Sequence, residues 1–386
     1  MEWKEYSLGD VCSRLSSGKN IKASEVHNDG LYPVFGGNGI RGFTDKQNFN
    51  GECAVIGRQG AYCGNVRYFN GVAYMTEHAL VLQGNEKSET QFLAYLLSIM
   101  DLGRLSGQSA QPGLSVKTLK IQKVSLPNLS DQRKIAGILS ALDSKIENNN
   151  KINANLEAQA QALFKSWFVD FTPFKDQPFV DSELGPIPQG WKVGKLGDYC
   201  EVKSGYAFKS SWWTNKGYKI IKIKNISENG DINLNDCSCV LPENCDKAKN
   251  FIANTGDIVI AMTGATIGKF NIIPKIDEKF YINQRVGKFF LGEKPIEKVP
   301  YIYCFLKQEN ISTQIIQKGQ GSAQPNISGA DIESIPMLTP MSIILKYNKM
   351  CQPLFEKILS NRLESKKLSA LRDTLLPKLM SGEIKL

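Results

Sequence analysis

The sequence has few of the residues that metal sites and disulfide frameworks need. It contains two histidines, His27 and His78, and nine cysteines dispersed over 386 residues. An odd, scattered set of cysteines in a chain of this size is typical of reduced thiols. Only Cys237, Cys239 and Cys245 lie close together, and they lack the second cysteine pair of a zinc finger. We therefore expect neither disulfides nor a bound metal.

Long apolar runs and a secretion signal are also missing. No run approaches the roughly 20 apolar residues that span a bilayer. The start, MEWKEYSLGD, lacks the basic and apolar regions of a signal peptide. These absences predict a cytoplasmic protein. With 42% hydrophobic and 22% charged residues, the chain has an ordinary globular composition and enough length for two or more domains.

Catalytic motifs are absent as well. The sequence has no G-x-S-x-G, no H-E-x-x-H, no kinase signature and no Asn-Pro-Pro-Tyr-type motif for an extruded adenine. GATIGKF, at residues 264–270, is one residue short of a phosphate-binding loop, and Phe270 stands where Ser or Thr would hold magnesium. We expect this segment to be a turn between strands. The sequence thus favours a binding protein without catalytic residues or a cofactor of its own.

What the sequence does contain is an internal repeat. WKEYSLGDVC at residues 3–12 returns as WKVGKLGDYC at 191–200, an offset of 188. Gly60 and Gly64 correspond to Gly264 and Gly268 at 204, and SAQP at 109–112 returns at 322–325, an offset of 213. A steadily growing offset indicates two copies of one domain, with insertions in the second copy. The net charge of +9 suits a polyanionic partner.

Each copy mixes short strands with one helix and ends in a long helix. AVIG, IVIAM and IIKIK are typical of strands, FGGNG and SENGD of turns, and QFLAYLLSIM and PYIYCFLKQ of helices. The fold class predicted is α/β, with two mixed α/β domains in tandem repeat and two long helices. The predicted boundaries are 1–127 for the first domain, 128–187 for a helix with a linker, 188–338 for the second domain and 339–386 for the last helix.

The long helices carry a heptad pattern with apolar residues alternately four and three apart. The first seam is Ile135, Leu139, Leu142, Ile146, Asn149, Asn153, Leu156, Ala160, Leu163 and Trp167; the second is Tyr347, Cys351, Leu354, Ile358, Asn361, Ser365, Leu368, Arg372, Leu375 and Leu379. A sustained period of 3.5 predicts coiled-coil packing. The first helix is expected to end near SWFVDFTPF, where Pro173 stops it. Of these, Leu142, Ile146, Asn149, Asn153, Leu156, Leu354, Ile358, Asn361 and Leu368 are the predicted partner contacts.

Both seams turn polar at the same place. Asn149 and Asn153 correspond to Asn361 and Ser365. A buried asparagine in a seam costs stability and selects a register, and in an antiparallel pair these layers would face each other. The alternative is that the positions are exposed to solvent and the seam frays there.

Loops rich in groups that hydrogen-bond bases or phosphates recur at matching places. We predict DNA contacts in the first copy by Lys19, Asn20, Lys22, Asn38, Arg41, Arg58, Gln59, Tyr62, Gln108 and Gln111. In the second copy we predict contacts by Tyr206, Lys209, Lys222, Lys224, Asn225, Thr263, Thr266, Lys269, Gln320, Gln324 and Asn326. The alternative for any one of them is a structural turn or a solvated surface residue.

Other repeated positions have a structural interpretation. His78 corresponds to Arg285, and we expect both to lie on strands. Cys12, Cys200, Trp3 and Trp191 are expected in the core. The repeated SAQP turn is placed at the joint between a domain and its long helix, where small residues allow close backbone approach.

The order of domain, helix, domain and helix resembles the specificity subunit of type I restriction-modification systems over essentially the whole chain. The matching motifs are WKxxxLGDxC, YPVFGGNGIRGF, S-A-Q-P-x-[LI]-S, ALFKSWFVDF and LRDTLLPKLMSGEI. A departure is the insertion of about 16 residues in the second copy between Cys200 and Gly264. The two copies are therefore expected to recognise different DNA sequences.

The resemblance implies two target recognition domains that each read half of a split double-stranded DNA target. It implies an antiparallel pair of spacer helices that docks two modification subunits. Those subunits would supply S-adenosylmethionine and adenine N6-methylation, and restriction subunits would supply ATP-driven translocation and cleavage with Mg. Two other functions stay open from the residues alone: a coiled-coil scaffold that binds proteins, and a stand-alone DNA-binding protein or nuclease.

Overall fold

The computed structural model describes residues 2–106, 113–227, 232–320 and 325–386. Its α-helices are α1 Thr90–Ser98, α2 Val116–Lys120, α3 Leu129–Phe168, α4 Leu196–Tyr199, α5 Val299–Leu306, α6 Glu309–Lys318, α7 Gly329–Glu333 and α8 Met341–Met380. Within the same residues, no helix is both long and apolar enough to cross a membrane.

The strands are short except in the first domain. They are β1 Lys4–Ser7, β2 Cys12–Ser17, β3 Tyr32–Gly36, β4 Gly39–Thr44, β5 Phe49–Gly57, β6 Val66–Met75, β7 Ala79–Gly84, β8 Lys123–Leu126, β9 Phe179–Val180, β10 Ile187–Pro188, β11 Val193–Lys195, β12 Glu201–Ser204, β13 Trp213–Thr214, β14 Tyr218–Ile221, β15 Ser238–Val240, β16 Ile252–Ala253, β17 Ile258–Ala261, β18 Phe270–Ile272, β19 Phe280–Ile282, β20 Val286–Phe290 and β21 Pro336–Leu338.

The chain forms two compact units. Unit 1 comprises Met1–Ile146 and Lys367–Leu386, and unit 2 comprises Glu147–Lys366. Each unit therefore contains one mixed α/β domain together with one end of α3 and one end of α8. The predicted domain boundaries at 127, 187 and 338 follow the repeat in the sequence, whereas the units follow packing and cut both long helices.

Unit 1 is built on one six-stranded sheet, in the order β2-β7-β5-β6-β3-β4. Strand β6 is long enough to pair antiparallel with β5 along its first part and parallel with β3 at Tyr74 and Met75. One face of the sheet packs on α1 and the long helices, and its core contains Leu82, Phe92 and Leu139.

Unit 2 repeats this plan with the long strand divided. A four-stranded sheet, β12-β20-β17-β18, matches β2-β7-β5-β6. In unit 1 the end of β6 pairs parallel with β3, whereas in unit 2 a separate strand, β19, makes the parallel pairing, with β14. These two strands belong to a second sheet, β13-β15-β14-β19-β16. The insertion predicted from the growing offset supplies strands of this second sheet.

The repeated motif WKxxxLGDxC serves the fold at the start of each domain. In unit 1, β1 pairs with β8, and in unit 2, β11 pairs with β21, so each domain start lies beside the segment that leads into a long helix. The motif leucines, Leu8 and Leu196, are fully buried. Asp198 accepts a 2.8 Å hydrogen bond from the Lys195 backbone amide and so holds the turn. Trp3 and Trp191 are partly buried and pack on the cores, as expected.

The long helices begin and end where local chemistry requires. Asn128 caps α3, because its side-chain oxygen accepts a 3.0 Å hydrogen bond from the Asp131 amide. The helix ends at Phe168, and Phe171 then adopts a left-handed conformation with φ of 51°. The helix thus ends within SWFVDFTPF, as expected, but the expectation that Pro173 stops it is wrong, since the chain has already turned before that residue.

Both predicted seams are confirmed. Each of the twenty seam positions is buried or partly buried. In unit 1 the helix segments contact each other through Ile135, Leu139 and Leu379. In unit 2, the hydroxyl of Tyr347 donates a 2.8 Å hydrogen bond to the Ala160 carbonyl. Within each unit the segments run antiparallel: in unit 1 the start of α3 contacts the end of α8, and in unit 2 the end of α3 contacts the start of α8.

The polar layer of the seam is buried rather than frayed. Asn149 and Asn361 are each 1% exposed. The Asn361 amide donates a 2.9 Å hydrogen bond to the Asn153 side-chain oxygen, and the Asn149 amide donates to Glu364 at 2.9 Å and to Ser365 at 3.3 Å. The layers face each other, as expected for an antiparallel pair.

Two expectations about local structure are wrong. His78 and Arg285 lie in turns between strands, not on strands. IIKIK is a strand only up to Ile221, after which residues 223–225 form a short 3-10 helix. GATIGKF is confirmed as a turn: a 3-10 helix at Gly264–Thr266 connects the antiparallel strands β17 and β18.

Candidate functional site

In unit 1, predicted DNA-contact loops come together around the turn at residues 76–78. The Lys19 amide donates a 2.9 Å hydrogen bond to the Met75 carbonyl, and the Arg58 amide donates at 3.0 Å to the His78 carbonyl. The Gly37 backbone approaches so closely that an added Cβ would lie 3.3 Å from the Gln59 carbonyl oxygen. We call these loops, at residues 18–22, 37–41, 58–62 and 76–78, loop cluster 1.

Loop cluster 1 contains a chain of polar side chains. The Gln59 side-chain oxygen lies 3.0 Å from His78 Nδ1, and His78 Nε2 lies 3.1 Å from Glu77 Oε1. The Arg58 guanidinium donates a 3.3 Å hydrogen bond to the Glu77 carbonyl. These contacts hold Arg58 and Gln59 beside one another at the surface, with Gln59 exposed and Arg58 half-buried.

The remaining predicted residues of this copy lie around that chain. Lys19, Asn20, Lys22, Asn38 and Arg41 are exposed, and Tyr62 is 49% exposed at the end of a 3-10 turn. Asn38 lies in the turn between β3 and β4, and Arg41 lies on β4. Their exposure leaves donors and acceptors free to meet a ligand.

Unit 2 brings the corresponding loops together around the turn at residues 283–285. The Tyr206 amide donates a 2.8 Å hydrogen bond to the Ile282 carbonyl, and the Gln284 amide donates at 3.0 Å to the Tyr206 carbonyl. The Met262 amide donates at 3.0 Å to the Arg285 carbonyl. We call the loops at residues 205–209, 222–225, 263–269 and 283–285 loop cluster 2.

The two clusters share the same backbone connections. The amide of Arg58 bonds the His78 carbonyl as the amide of Met262 bonds that of Arg285, in both cases at 3.0 Å. The Leu114 amide donates to the Arg58 carbonyl at 2.8 Å, and the Ile327 amide donates to the Met262 carbonyl at 2.9 Å. One scaffold therefore presents different side chains in the two copies.

In loop cluster 2, two lysine ammonium groups lie over tryptophan rings. Lys222 Nζ lies 3.3 Å from the centre of the Trp213 ring and 3.0 Å from Ser238 Oγ, and Lys209 Nζ lies 5.3 Å from the Trp212 ring. Burial, together with the nearby Lys224 ammonium, holds the pKa of Lys222 below its ordinary value. Lys224 is exposed and forms a 2.9 Å ion pair with Asp236.

The structure removes Asn225 from the predicted contacts. Asn225 is 1% exposed, and its side-chain amide donates to the carbonyls of Asn233 and Asp236 at 2.9 and 3.0 Å. Its oxygen accepts a 2.9 Å hydrogen bond from the Lys222 amide. An amide whose hydrogen bonds are all used inside the fold has a structural role, so the prediction of a DNA contact here is wrong.

The other predicted residues of this copy lie near the end of the SAQP segment. Thr263 pairs with Asn326 in an isolated bridge, and the Thr266 hydroxyl donates to the Thr263 carbonyl at 3.3 Å. Lys269 is half-buried, and Gln320 and Asn326 are exposed. In the first copy Gln59 pairs with Gly113 in the matching bridge. Gln108, Gln111 and Gln324 lie outside the described residues.

The predicted partner residues on the helices lie inside the seam. Asn149, Asn153, Ile358 and Asn361 are buried, and Leu142, Ile146, Leu156, Leu354 and Leu368 are partly buried. These side chains therefore hold the helix segments of each unit together. Whether they also contact another subunit stays a prediction.

The structure adds residues that sequence reasoning missed. His78 and Glu77 belong to the polar chain of loop cluster 1, and Trp212 and Trp213 support the lysines of loop cluster 2. One feature of the sequence indicated this site: His78 aligns with Arg285, so both copies have a polar residue at the same turn.

The chemistry of both clusters is that of a polar recognition surface. Arg, Lys, Gln, Asn, Tyr and His supply hydrogen-bond groups that suit base edges and phosphates. Across the described residues, no three His, Cys, Asp or Glu side chains are grouped as a metal site would require.

Comparison with known proteins identifies the repeated unit. Residues 1–158 and 188–347 each match the family described as type I restriction modification DNA specificity domain. The MjaIX specificity subunit of Methanocaldococcus jannaschii is 32% identical over 307 residues, which cover 77% of this chain and 69% of that protein. The MjaVIII specificity subunit of the same organism is 25% identical over 407 residues, covering 100% of this chain and 93% of that protein.

A solved structure shares the fold. The crystal structure of a type I restriction-modification system S subunit from M. genitalium has a TM-score of 0.65 to this chain at 19% identity. The match covers 98% of this chain and 96% of that one. Because the two matched segments span most of the sequence, the chain belongs to the family of type I restriction-modification specificity subunits.

Proposed function

We propose that each domain reads one half of a bipartite double-stranded DNA target, loop cluster 1 one half-site and loop cluster 2 the other. The observation that carries this proposal is the shared backbone scaffold, in which the His78 and Arg285 turns are held by the same 3.0 Å hydrogen bond. On that scaffold, Arg58 and Gln59 are replaced by Met262 and Thr263. Since donors and acceptors determine which base edge is read, different side chains on one scaffold predict two different half-sites.

The helices would set the distance between half-sites and dock two modification subunits. Support comes from the buried asparagine layer, because a polar contact inside a seam selects one register out of several. Methyl transfer to adenine N6, with its S-adenosylmethionine, and ATP- and Mg-dependent cleavage would belong to the modification and restriction subunits. The chain itself would act without catalysis, in the cytoplasm.

Methylation tests this proposal most directly. The purified chain incubated with S-adenosylmethionine and DNA is expected to methylate nothing, and addition of its modification subunit is expected to produce sequence-specific methylation. Methylome sequencing of cells with and without the chain should then show one bipartite motif that is lost on deletion. Methylation by the chain alone would contradict the proposal.

Binding and cleavage assays separate the other functions. Duplex binding should weaken steeply with salt, because phosphate contacts release counterions. A protein-binding scaffold would show no such dependence. Incubation of the lone chain with magnesium and plasmid should leave the plasmid intact, whereas a nuclease would cut it.

A further inference from the structure

A tyrosine at the same place in each copy forms a hydrogen bond with a carboxylate of α3. In unit 1, the Tyr95 hydroxyl lies 2.5 Å from Asp143 Oδ2. In unit 2, the Tyr303 hydroxyl lies 2.6 Å from Glu157 Oε1. Tyr95 lies on α1 and Tyr303 on α5, the helix that follows the last strand of the main sheet in each domain.

The two tyrosines correspond in sequence, but their acceptors do not, because the seam alignment pairs Asp143 with Phe355 of α8. The offset between Tyr95 and Tyr303 is 208, between the 207 that separates His78 from Arg285 and the 213 that separates the two SAQP sequences. Asp143 and Glu157 follow the seam residues Leu142 and Leu156 and are 14 residues, or two heptads, apart. Both carboxylates thus occupy the same heptad position of one helix.

A cation completes each contact. Arg372 of α8 donates a 2.7 Å hydrogen bond to Asp143 Oδ1, so this one carboxylate joins α1, α3 and α8 within unit 1. In unit 2, Lys307 Nζ lies 3.6 Å from Glu157 Oε1, and the Tyr303 ring packs edge-on against Phe355 of α8 at 5.3 Å.

The protonation states suit these bonds. Burial is the main cause that raises the pKa of both tyrosines above the ordinary value, and the neighbouring carboxylate raises each further. Each hydroxyl therefore keeps its proton and donates a hydrogen bond to the carboxylate. Hydrogen bonds from a hydroxyl to a carboxylate are typically about 2.5–2.7 Å long, and both of these distances lie in that range.

We infer that Tyr95 with Asp143 and Tyr303 with Glu157 are positioning pairs that fix the angle of each recognition domain on the spacer helix. Apolar packing between a domain and a helix is non-directional, so it stabilises several similar orientations of the domain about equally. A hydrogen bond to one particular carboxylate favours one of these orientations. In this role the pairs determine how strictly the subunit measures the spacing between half-sites, an inference that rests on the proposed function.

The test uses the chain assembled with its modification subunits and fluorescent duplexes that carry both half-sites. The spacer between half-sites is varied from one base pair shorter to one longer than in the cellular motif. The complex with the unaltered chain should bind the correct spacer much more tightly. Tyr95→Phe and Tyr303→Phe should each reduce that discrimination by about threefold to tenfold, a part of what the loss of one hydrogen bond to a charged group can cost, while affinity for the correct spacer stays nearly unchanged.

Matched variants separate positioning from general stability. Tyr32→Phe removes a hydroxyl from strand β3 of the same domain and should leave discrimination unchanged. Asp143→Asn keeps an oxygen for Tyr95 and should retain more discrimination than Asp143→Ala. The double variant of Tyr95→Phe with Asp143→Ala should behave like Asp143→Ala alone, because that change already removes the acceptor of Tyr95. An equal loss of affinity for every spacer, or no loss of discrimination, would overturn the inference.

A second readout does not depend on DNA. If the unaltered complex shows no preference for any spacer, the proposed function fails while the positioning pairs can still be judged. Tyr95→Phe should then speed hydrogen exchange of the α1 amides in the isolated chain, and Tyr32→Phe should not. Unchanged exchange in α1 would reject the pair itself.

Discussion

The side-chain amide of Asn361 donates a 2.9 Å hydrogen bond to the side-chain oxygen of Asn153 inside the helix pair of unit 2. Both residues are at seam positions, and Asn361 is 1% exposed. A buried amide is tolerated when its hydrogen bonds are made and costs stability when they are not. The contact therefore opposes any slip of one helix along the other.

Removal of both partners of this pair should cost less than the two separate removals added together. We expect Asn361→Ala to lower the free energy of unfolding by about 1–3 kcal/mol, because the Asn153 oxygen is left buried without its donor. The double variant with Asn153→Ala should cost less than the sum of the single variants. Urea denaturation measures each value. Asn150→Ala, on the exposed side of α3, is the control and should change stability little; additive losses would argue against the coupling.

The C-terminal glycine offers a test of packing in unit 1. Gly382 has φ of +74°, and an added Cβ would lie 2.5 Å from Trp3 Nε1. Gly382→Ala should therefore destabilise the chain by about 1–3 kcal/mol through backbone strain and overpacking. Gly137→Ala is the matched control: it lies exposed within α3, with nothing near its added Cβ, and should stabilise by up to about 1 kcal/mol. Thermal unfolding of the two variants should shift in opposite directions.

Asn225 should act through folding rather than through DNA. Asn225→Ala leaves the Asn233 and Asp236 carbonyls and the Lys222 amide without their partner. We expect a loss of about 1–3 kcal/mol in unfolding free energy. Lys224→Ala removes an exposed charge beside it and should change stability by less than about 1 kcal/mol while weakening DNA binding more at low salt than at high salt. A stable Asn225→Ala variant with altered base preference would reinstate Asn225 as a contact residue.

The features predictable from sequence are those with a local or periodic signal. The heptad spacing located the seams, including the polar layer at Asn149 and Asn361, because every seam residue contributes to one pattern. The paired WKxxxLGDxC motifs located the domain starts. Asn225 and His78 were misplaced because their surroundings come from distant segments: Asn225 is buried by residues 233–236, and His78 contacts Gln59 across a strand connection. The pattern of polar and apolar residues around each position carries no information about contacts with distant segments.

The positioning pairs could not be predicted from the sequence either. Tyr95 and Tyr303 are ordinary helix residues in the sequence, and Asp143 and Glu157 are ordinary charges beside a seam. Only the fold reveals that each tyrosine reaches a carboxylate, because that contact depends on how a domain packs on its helix. Repeat alignment could have paired the tyrosines, but it could not have named their acceptors.

The two loop clusters predict half-site-specific effects of single substitutions. Gln59 and Thr263 occupy corresponding positions, each in an isolated bridge with the end of the SAQP segment, at Gly113 and Asn326. Removal of a side chain that reads a base costs about 1–3 kcal/mol at that base pair and leaves distant base pairs unaffected. Gln59→Ala, alone or with Arg58→Ala, should therefore relax one half-site only.

Thr263→Ala should relax the other half-site, so each variant is the control for its counterpart. The measurement is binding of the assembled complex to duplexes with every single-base change in either half-site. Arg58 also holds the Glu77 carbonyl through a 3.3 Å hydrogen bond, so the single Gln59 variant separates base reading from loop structure. If Gln59→Ala weakened binding equally for all sequences, the residue would contact the phosphate backbone, because a phosphate contact carries no base information. If it relaxed both half-sites together, the assignment of one cluster to one half-site would be wrong.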